Sequence, residues 1–99
     1  MFRDLCMTYF VYILTNITNS TLYIGVTNNI QRRIFEHREG KVDSFTRKYR
    51  LHRLIYYEEY KSIEEAIERE KQLKNWHRKW KFNLIKKTNS NLDDLSRNW

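Results

Sequence analysis

The sequence contains no proline, only two glycines and a single cysteine among its 99 residues. Without proline-rich or glycine-rich stretches, no segment resembles a linker, and the length predicts one domain. The lone Cys6 excludes a disulfide framework and a thiolate metal site, so we interpret it as a bystander. No apolar run approaches the ~20 residues that cross a bilayer. Because the N-terminal residues also lack a leader pattern, we expect a cytoplasmic protein without a membrane partner.

Acidic residues are also scarce, since 12 Asp and Glu face 19 Lys and Arg and leave a net charge of +7. The excess concentrates in residues 32–53 and 69–87, each with eight Lys or Arg. Aromatic side chains interrupt both segments: Phe45, Tyr49, Trp76 and Trp80. Phosphates neutralise basic groups and bases stack on aromatic rings, so this composition favours a nucleic-acid partner. A basic face that only keeps the protein soluble is the simpler alternative.

Three segments have the β-branched and aromatic composition of strands. "YFVYILT" (9–15) and "TLYIGVT" (21–27) are separated by the five residues "NITNS", which are mostly polar, and predict a hairpin. "LIYYEEY" (54–60) predicts a third strand. A basic loop is expected between them at residues 40–53.

Capping residues predict the helices. Asn28 with Gln31 opens the first helix, which we expect to end near Gly40, and Ser62 with Glu65 opens the next. That helix continues to about Leu73, and from Asn75 the shifted spacing of Trp76, Trp80 and Leu84 predicts a separate final helix. The predicted order is β-β-α-β-α-α, an α+β domain with a small three-stranded, mainly antiparallel sheet flanked by helices. We assign the domain to residues 1–88, with an ordered core from about residue 8, and a polar tail to 89–99.

The first helix places two polar residues in its apolar stripe. At about 100° per residue, Ile34, Arg33 and His37 all fall within about 60° of Ile30, whereas the other polar residues of this helix point elsewhere. An arginine and a histidine therefore occupy positions that a helix normally gives to its core.

The later helix repeats the anomaly with a carboxylate. Glu70 falls near the centre of the apolar stripe, which consists of Ile63, Ala66, Ile67 and Leu73. A carboxylate in such a position costs several kcal/mol unless it is paired, hydrogen-bonded or bound to a metal.

The predicted hairpin adds two phenols and a glycine. Strand alternation places Tyr23 and Gly25 on one face, and a glycine inside a strand often marks close approach of a ligand or another backbone. Tyr12 lies on the neighbouring strand. We expect these residues to converge with Arg33, His37 and Glu70 on one shallow basin.

Each of these residues also has a purely structural interpretation. Strand tyrosines usually only pack, with the hydroxyl at the rim. Arg33 and Glu70 could form a structural salt bridge between helices, and a buried histidine is usually a hydrogen-bonded core residue. The conjunction of all of them is what favours a functional site.

The order of these residues resembles the GIY-YIG nuclease superfamily over nearly the whole chain. Tyr23-Ile24-Gly25 matches the YIG half, and Tyr12 in "FVYIL" stands at the GIY half. Arg33 and His37 match the catalytic arginine and the histidine one turn later, and Glu70 in "IEREKQL" matches the metal-binding glutamate. "YIGVTNNIQRR", "FTRKYR" and "EREKQLKNW" are similar to small stand-alone bacterial members, which resemble the N-terminal incision domain of the bacterial excision-repair nuclease.

The sequence departs from the family pattern in two places. Phe10 and Val11 replace the glycine and isoleucine of the GIY half, and the active-site asparagine has no secure counterpart. Asn83 and Asn89 are the two candidates for it.

The resemblance implies metal-dependent hydrolysis of phosphodiester bonds in DNA or RNA. Glu70 would hold one Mg²⁺ or Mn²⁺, and Arg33 would neutralise charge on the scissile phosphate. Tyr12 would act as general base with His37 assisting or taking the proton in relay, and Tyr23 would orient water or phosphate.

We expect nucleic acid to be selected by structure or as single strands, since no recognition helix or zinc finger is present. The expected contacts are Gly25, Arg32, Lys41, Arg47, Lys48, Tyr49, Arg50, Trp76, Arg78 and Lys79. A directing protein partner is a further possibility. Two alternatives stay open: a non-catalytic nucleic-acid binding module on the same fold, and a basic domain that docks an acidic protein.

Overall fold

A computed structural model describes residues 7–42 and 44–99, so the expectation about Cys6 and the start of the predicted domain lie outside the described residues. Within this part the chain forms three strands and four helices. The strands are β1 (Tyr9–Thr15), β2 (Leu22–Thr27) and β3 (Arg53–Tyr60). The helices are α1 (Ile30–Arg38), α2 (Ser44–Tyr49), α3 (Ile63–Asn75) and α4 (Arg78–Thr88). The predicted α+β class is confirmed, with one short helix, α2, added to the predicted order.

The strands form an antiparallel sheet in the order β2-β1-β3, with β1 in the centre. Tyr12 pairs with Gly25 on one side and with Tyr57 on the other. The register between β1 and β3 shifts between Ile13 and Leu14, so that Ile55 has no partner opposite it. This bulge lets two consecutive residues, Ile55 and Tyr56, pack on the same side of the sheet.

Each face of the sheet is covered by helices. On one face Val11, Ile13 and Ile24 pack in a cluster with three residues from α3 and α4: Ala66, Leu73 and Ile85. On the other face Tyr12 and Leu14 pack with residues from α1 and from β3 and the chain before it: Ile30, Ile34, Leu51 and Leu54. The polar residues of α1 that enter the apolar stripe therefore face β1 from this second side.

The cap of α1 lies one residue later than predicted. Asn29, not Asn28, is the N-cap, and its Oδ1 accepts a hydrogen bond from the Arg32 N–H at 3.1 Å. At the other end Gly40 has φ +71°, and its N–H donates to the His37 carbonyl at 3.1 Å. The Lys41 N–H donates to the Glu36 carbonyl, which completes a Schellman motif. The predicted end of this helix near Gly40 is confirmed, as is the Ser62 cap of α3.

The prediction of a loop over residues 40–53 was wrong in its centre, where α2 forms. Only Thr46 of this helix is buried, while Phe45 and Tyr49 stack against each other on its exposed side. A six-residue helix with one buried polar residue has no apolar stripe, and periodicity therefore gave no sign of it.

A polar network fixes α3 to β3 on the side of Val11. Glu58 accepts two hydrogen bonds from Arg69, at 2.9 and 3.0 Å, and one each from Tyr56 and Tyr60, at 2.5 and 2.7 Å. Burial opposes the charged form of Glu58, but the hydrogen bonds from Arg69 and the two phenols hold the pKa of this carboxyl below its usual value. The bidentate pair fixes the rotation of α3 about its axis. Arg69 is directly followed by Glu70, so the same contact determines where Glu70 points.

Residues 89–99 contact the edge of the sheet. The Leu95 N–H donates to the Leu54 carbonyl at 2.7 Å, and Ser96 is fully buried. Arg38 donates to Asp94 and thereby connects this segment to α1. The division of the chain at residue 88 stays a prediction. Among the described residues, no helix has the length and apolar composition that crossing a bilayer requires.

Candidate active site

A chain of buried hydrogen bonds links β1, α1 and α2. The Tyr12 hydroxyl lies 2.9 Å from His37 Nε2, and His37 Nδ1 lies 3.1 Å from the Thr46 Oγ1. His37 and Thr46 are fully buried, and Tyr12 is 1% exposed. The helix periodicity that placed His37 in the stripe of α1 therefore predicted its burial correctly. Sequence reasoning missed Thr46, because its role depends on α2 packing against α1.

Tyr23 completes a cluster of three aromatic rings. Its ring centroid lies 5.3 Å from that of His37 and 6.3 Å from that of Tyr12. The rings of Tyr12 and His37 are 5.8 Å apart. The two phenols predicted to converge with the histidine are thus brought together by the hairpin and the last turn of α1.

Gly25 has a packing reason that the sequence did not reveal. A Cβ at this position would lie 2.5 Å from the Tyr12 hydroxyl oxygen and 2.6 Å from Cζ, closer than such atoms can approach. The phenol ring of Tyr12 therefore crosses its cross-strand partner where a side chain would stand. We expected a ligand or a backbone to use this gap, and Tyr12 of the same chain fills it instead.

The Tyr12 phenol has an unusual electrostatic environment. Burial raises its pKa, and the neighbouring Tyr23 adds to the rise. The Arg33 guanidinium opposes the rise by its charge and by hydrogen bonding, and the Glu70 carboxylate reinforces it. Arg33 and Glu70 therefore lie near enough to act on Tyr12, as their predicted convergence requires. The net direction keeps Tyr12 protonated, opposite to what a tyrosinate base needs.

Arg33 is held at the edge of the cluster with part of its bonding capacity unused. Its side chain is 32% exposed, and its Nε lies 3.4 Å from Glu36 Oε1. That Nε is nevertheless buried and makes no hydrogen bond within the described part of the chain. The alternative of a structural salt bridge between Arg33 and Glu70 was wrong, because each pairs within its own helix.

Glu70 lies on the edge of the buried face of α3. Its side chain is 20% exposed, and its Oε2 forms an ion pair with Lys74 Nζ at 2.9 Å. Ala66 and Leu73 are buried as the predicted stripe requires, but Ile67 was wrongly assigned to the core and is 40% exposed. The stripe of α3 is therefore narrower than predicted, and Glu70 borders it while remaining accessible to solvent.

The residues present fit a single hard cation. Among residues 7–42 and 44–99, no group of three or more His, Cys, Asp or Glu is arranged to hold a metal. Mg²⁺ usually keeps several waters and binds through one or two carboxylates together with substrate phosphates. Glu70 is such a carboxylate, and a metal ion bound there would replace Lys74 Nζ, which lies 2.9 Å from its Oε2.

The residues predicted to contact nucleic acid fall into two groups. Most have exposed side chains: Arg32, Lys41, Arg47, Lys48, Tyr49, Arg50 and Lys79. Arg78 is also exposed, but it is engaged within the chain, since it donates to the Asn19 carbonyl at 2.7 Å and lies over the Phe82 ring. Trp76 is half-buried, and Gly25 is buried beneath Tyr12.

Neither candidate asparagine is brought to the aromatic cluster by a contact that the structure records. Asn89 is buried, and its amide donates to the carbonyls of Ile55 and Asp93 at 3.0 and 2.8 Å. Its Oδ1 accepts from the Asp93 N–H, so the side chain holds the C-terminal segment against β3. Asn83 is exposed on α4 and lines a groove with Trp76 and Trp80.

The fold and this cluster define a class of protein. The family model described as the GIY-YIG catalytic domain matches residues 8–83, so the chain belongs to the GIY-YIG family, which is a nuclease superfamily. Members of the superfamily generally use divalent metals.

Among individual relatives, the chain is similar to small bacterial UPF0213 proteins. It is 38% identical over 77 residues to one from Staphylococcus haemolyticus, covering 78% of this chain and 93% of the relative. It is 36% identical over 73 residues to one from Bacillus pumilus, covering 74% of each. The solution NMR structure of a UPF0213 protein from Bacillus halodurans matches with a TM-score of 0.57 and 31% identity, over 89% of this chain and 93% of that one.

Proposed function

We propose that the protein is a metal-dependent endonuclease that hydrolyses phosphodiester bonds of DNA or RNA and selects structured or single-stranded substrates over specific sequences. The observation that carries this proposal is the buried contact of 2.9 Å between the Tyr12 hydroxyl and His37 Nε2, with Arg33 beside it. Burying a phenol, an imidazole and part of a guanidinium together costs free energy of desolvation that hydrogen bonds offset, and a shared catalytic role accounts for their occurrence at one place.

The proposal takes one of the two neutral tautomers of His37. In it the Tyr12 hydroxyl donates its proton to His37 Nε2, since Arg33, which can only donate, acts on the same Tyr12 oxygen. His37 then carries its own proton on Nδ1, which lies 3.1 Å from the Thr46 Oγ1. This neutral tautomer leaves Nε2 able to take a proton from Tyr12.

A proton relay follows from this arrangement. A tyrosinate base at neutral pH needs its pKa lowered from about 10 to 7, which is roughly 4 kcal/mol, and burial acts in the opposite direction. Tyr12 therefore passes its proton to His37 as it receives one from the attacking water, and the reaction leaves an imidazolium. Thr46 keeps the imidazole oriented during the transfer.

The remaining residues act on the phosphate. Arg33, whose side chain is 32% exposed, neutralises charge that grows on the non-bridging oxygens. Tyr23 orients the water or the phosphate. Glu70 would hold the divalent ion, which when bound would supply Lewis-acid polarisation of the phosphate and stabilisation of the departing 3′ oxygen.

We expect the purified protein to incise at least one of a set of labelled substrates: single-stranded, duplex, flap and branched DNA, and the same forms of RNA. Each is incubated with Mg²⁺, Mn²⁺ or a chelator, and products are resolved on denaturing gels. Incision with either metal and none with the chelator supports the proposal. Binding of nucleic acid without incision of any substrate contradicts it and favours the binding module, and the absence of binding favours a protein-docking domain.

A further inference from the structure

An open groove of about 200 Å³ runs along α4, and the proposed chemistry does not use it. It is lined by Trp76, Trp80, Asn83, Leu84 and Lys87. Trp80 is 55% exposed and belongs to neither core cluster, so packing within the described residues leaves much of its ring uncovered. A ligand in the groove would cover this surface.

The two indoles of the groove form a corner. Their ring centroids are 6.1 Å apart and their planes cross at 84°. Neighbours hold both rings, since the Arg69 guanidinium lies 5.2 Å from the centroid of Trp76 and the His77 ring lies 5.4 Å from that of Trp80. A planar ring that stacks on one indole meets the edge of the other, which is the arrangement that aromatic groups prefer.

The charges around the groove complement a polyanion. Helix α4 has no acidic residue and five basic ones: Arg78, Lys79, Lys81, Lys86 and Lys87. Lys87 lies in the groove lining itself, and the Asn83 amide beside it offers both a donor and an acceptor. Burial lowers the pKa of Lys81, and the positive charge of the nearby Arg78 adds to this effect.

We propose that the Trp76–Trp80 groove binds an unpaired nucleobase of a single-stranded segment, with Lys87 contacting the adjacent phosphate. A base has the flat π-face that the indoles require, and its backbone supplies the negative charge that α4 attracts. The inference rests on the proposed function, because it names the feature of the nuclease substrate that the protein recognises. It places single-strand selection in α4, outside the cluster of Tyr12 and His37.

The test is the binding of a fluorescent single-stranded oligonucleotide, measured by anisotropy in chelator so that no cleavage occurs. We expect Trp80→Ala to weaken binding about tenfold to a hundredfold, which is the range for loss of one stacked base. Trp80→Phe keeps an aromatic face and retains most of the affinity. Trp99→Ala is the matched control, since Trp99 is similarly exposed at 47% and lies in another groove, beside α1.

A strand of the same length made of abasic units separates stacking from charge. We expect the parent and Trp80→Ala to bind this strand equally, because it has phosphates and no bases. The proposal is overturned if Trp80→Ala binds the normal strand within twofold of the parent while retaining the parent's circular dichroism spectrum. It is also overturned if the variant loses the same affinity for the abasic strand.

The binding assay and the cleavage assay fail independently. If the parent incises no substrate but its binding depends on Trp80 and on bases, the proposal about the groove is supported and the proposed nuclease activity is contradicted. If the parent incises substrates and Trp80→Ala binds like the parent, the nuclease activity is supported and the proposal about the groove is contradicted. A polyglutamate peptide can also be added as a competitor. If it displaces the oligonucleotide and binds tightly to both the parent and Trp80→Ala, the basic face binds an acidic protein and the proposal is overturned.

Discussion

Replacing Arg33 with alanine is expected to lower kcat for phosphodiester cleavage by about 10²- to 10³-fold, the usual effect of removing one preorganised donor from a developing negative charge. The folded protein should lose little stability, because the Arg33 side chain is 32% exposed and its buried Nε makes no hydrogen bond within the described residues. The measurement is single-turnover cleavage with saturating enzyme, together with the urea midpoint of unfolding.

Two further variants make the Arg33 result specific. Arg33→Lys keeps the charge but loses the planar fork, so we expect an intermediate loss rather than full activity. Arg97→Ala removes an exposed guanidinium from the C-terminal segment and should cleave like the parent. If Arg33→Ala cleaves as fast as Arg97→Ala, the assignment of Arg33 to the phosphate is incorrect.

The second large effect is expected from Gly25→Ala. Glycine in a strand interior normally costs stability relative to alanine, so this substitution elsewhere would stabilise a protein. Here the new methyl group would lie 2.5 Å from the Tyr12 hydroxyl oxygen, which must move. We expect a loss of about 1–3 kcal/mol in the free energy of unfolding, as for other overpacked sites, and a loss of activity because the Tyr12 contact with His37 is broken.

A double-mutant cycle tests the cause of the Gly25 effect. If the clash with Tyr12 is responsible, Gly25→Ala in a Tyr12→Ala background should cost no stability, so the two substitutions are strongly non-additive. Denaturant unfolding of the four proteins provides the four free energies. Additive effects would show that the glycine is needed for some reason other than the ring that lies over it.

The parts of the site that the sequence predicted depend on local geometry. The positions of Arg33, His37 and Glu70 relative to their apolar neighbours follow from 100° per residue, and that rotation holds whatever the helix packs against. Tyr12 and Tyr23 could be placed together because only five residues join their strands. These signals needed no knowledge of the tertiary structure.

The parts that the sequence did not predict depend on contacts between residues far apart in the chain, or on which of two adjacent asparagines caps a helix. Thr46 contacts His37 only because α2 packs on α1. The Asn89 amide donates to the carbonyl of Ile55 in β3, which lies 34 positions away in the chain. Asn28 and Asn29 are both good caps, and composition cannot choose between them. Ile67 is exposed because only a narrow face of α3 packs on the sheet, whereas helical periodicity predicted a wider buried face.

The direction of the Tyr12 pKa is a further lesson of this kind. The family resemblance implied that Tyr12 acts as general base, with His37 assisting or taking the proton in relay. In the folded protein the largest influence is burial, which raises the pKa, and Tyr23 and Glu70 act in the same direction. The proposed relay therefore makes the fully buried His37 the final proton acceptor, with the Tyr12 phenol passing the proton to it.

One comparison tests most directly whether these buried polar groups form a hydrolytic centre. Glu70→Gln removes the carboxylate charge with little change in shape, and Glu68→Gln makes the same change at an exposed position two residues earlier on α3. With Mg²⁺ or Mn²⁺, the parent and Glu68→Gln should cleave the preferred strand at similar rates, and Glu70→Gln should show no cleavage above the chelator control. Cleavage by Glu70→Gln at the parent's rate would contradict the account.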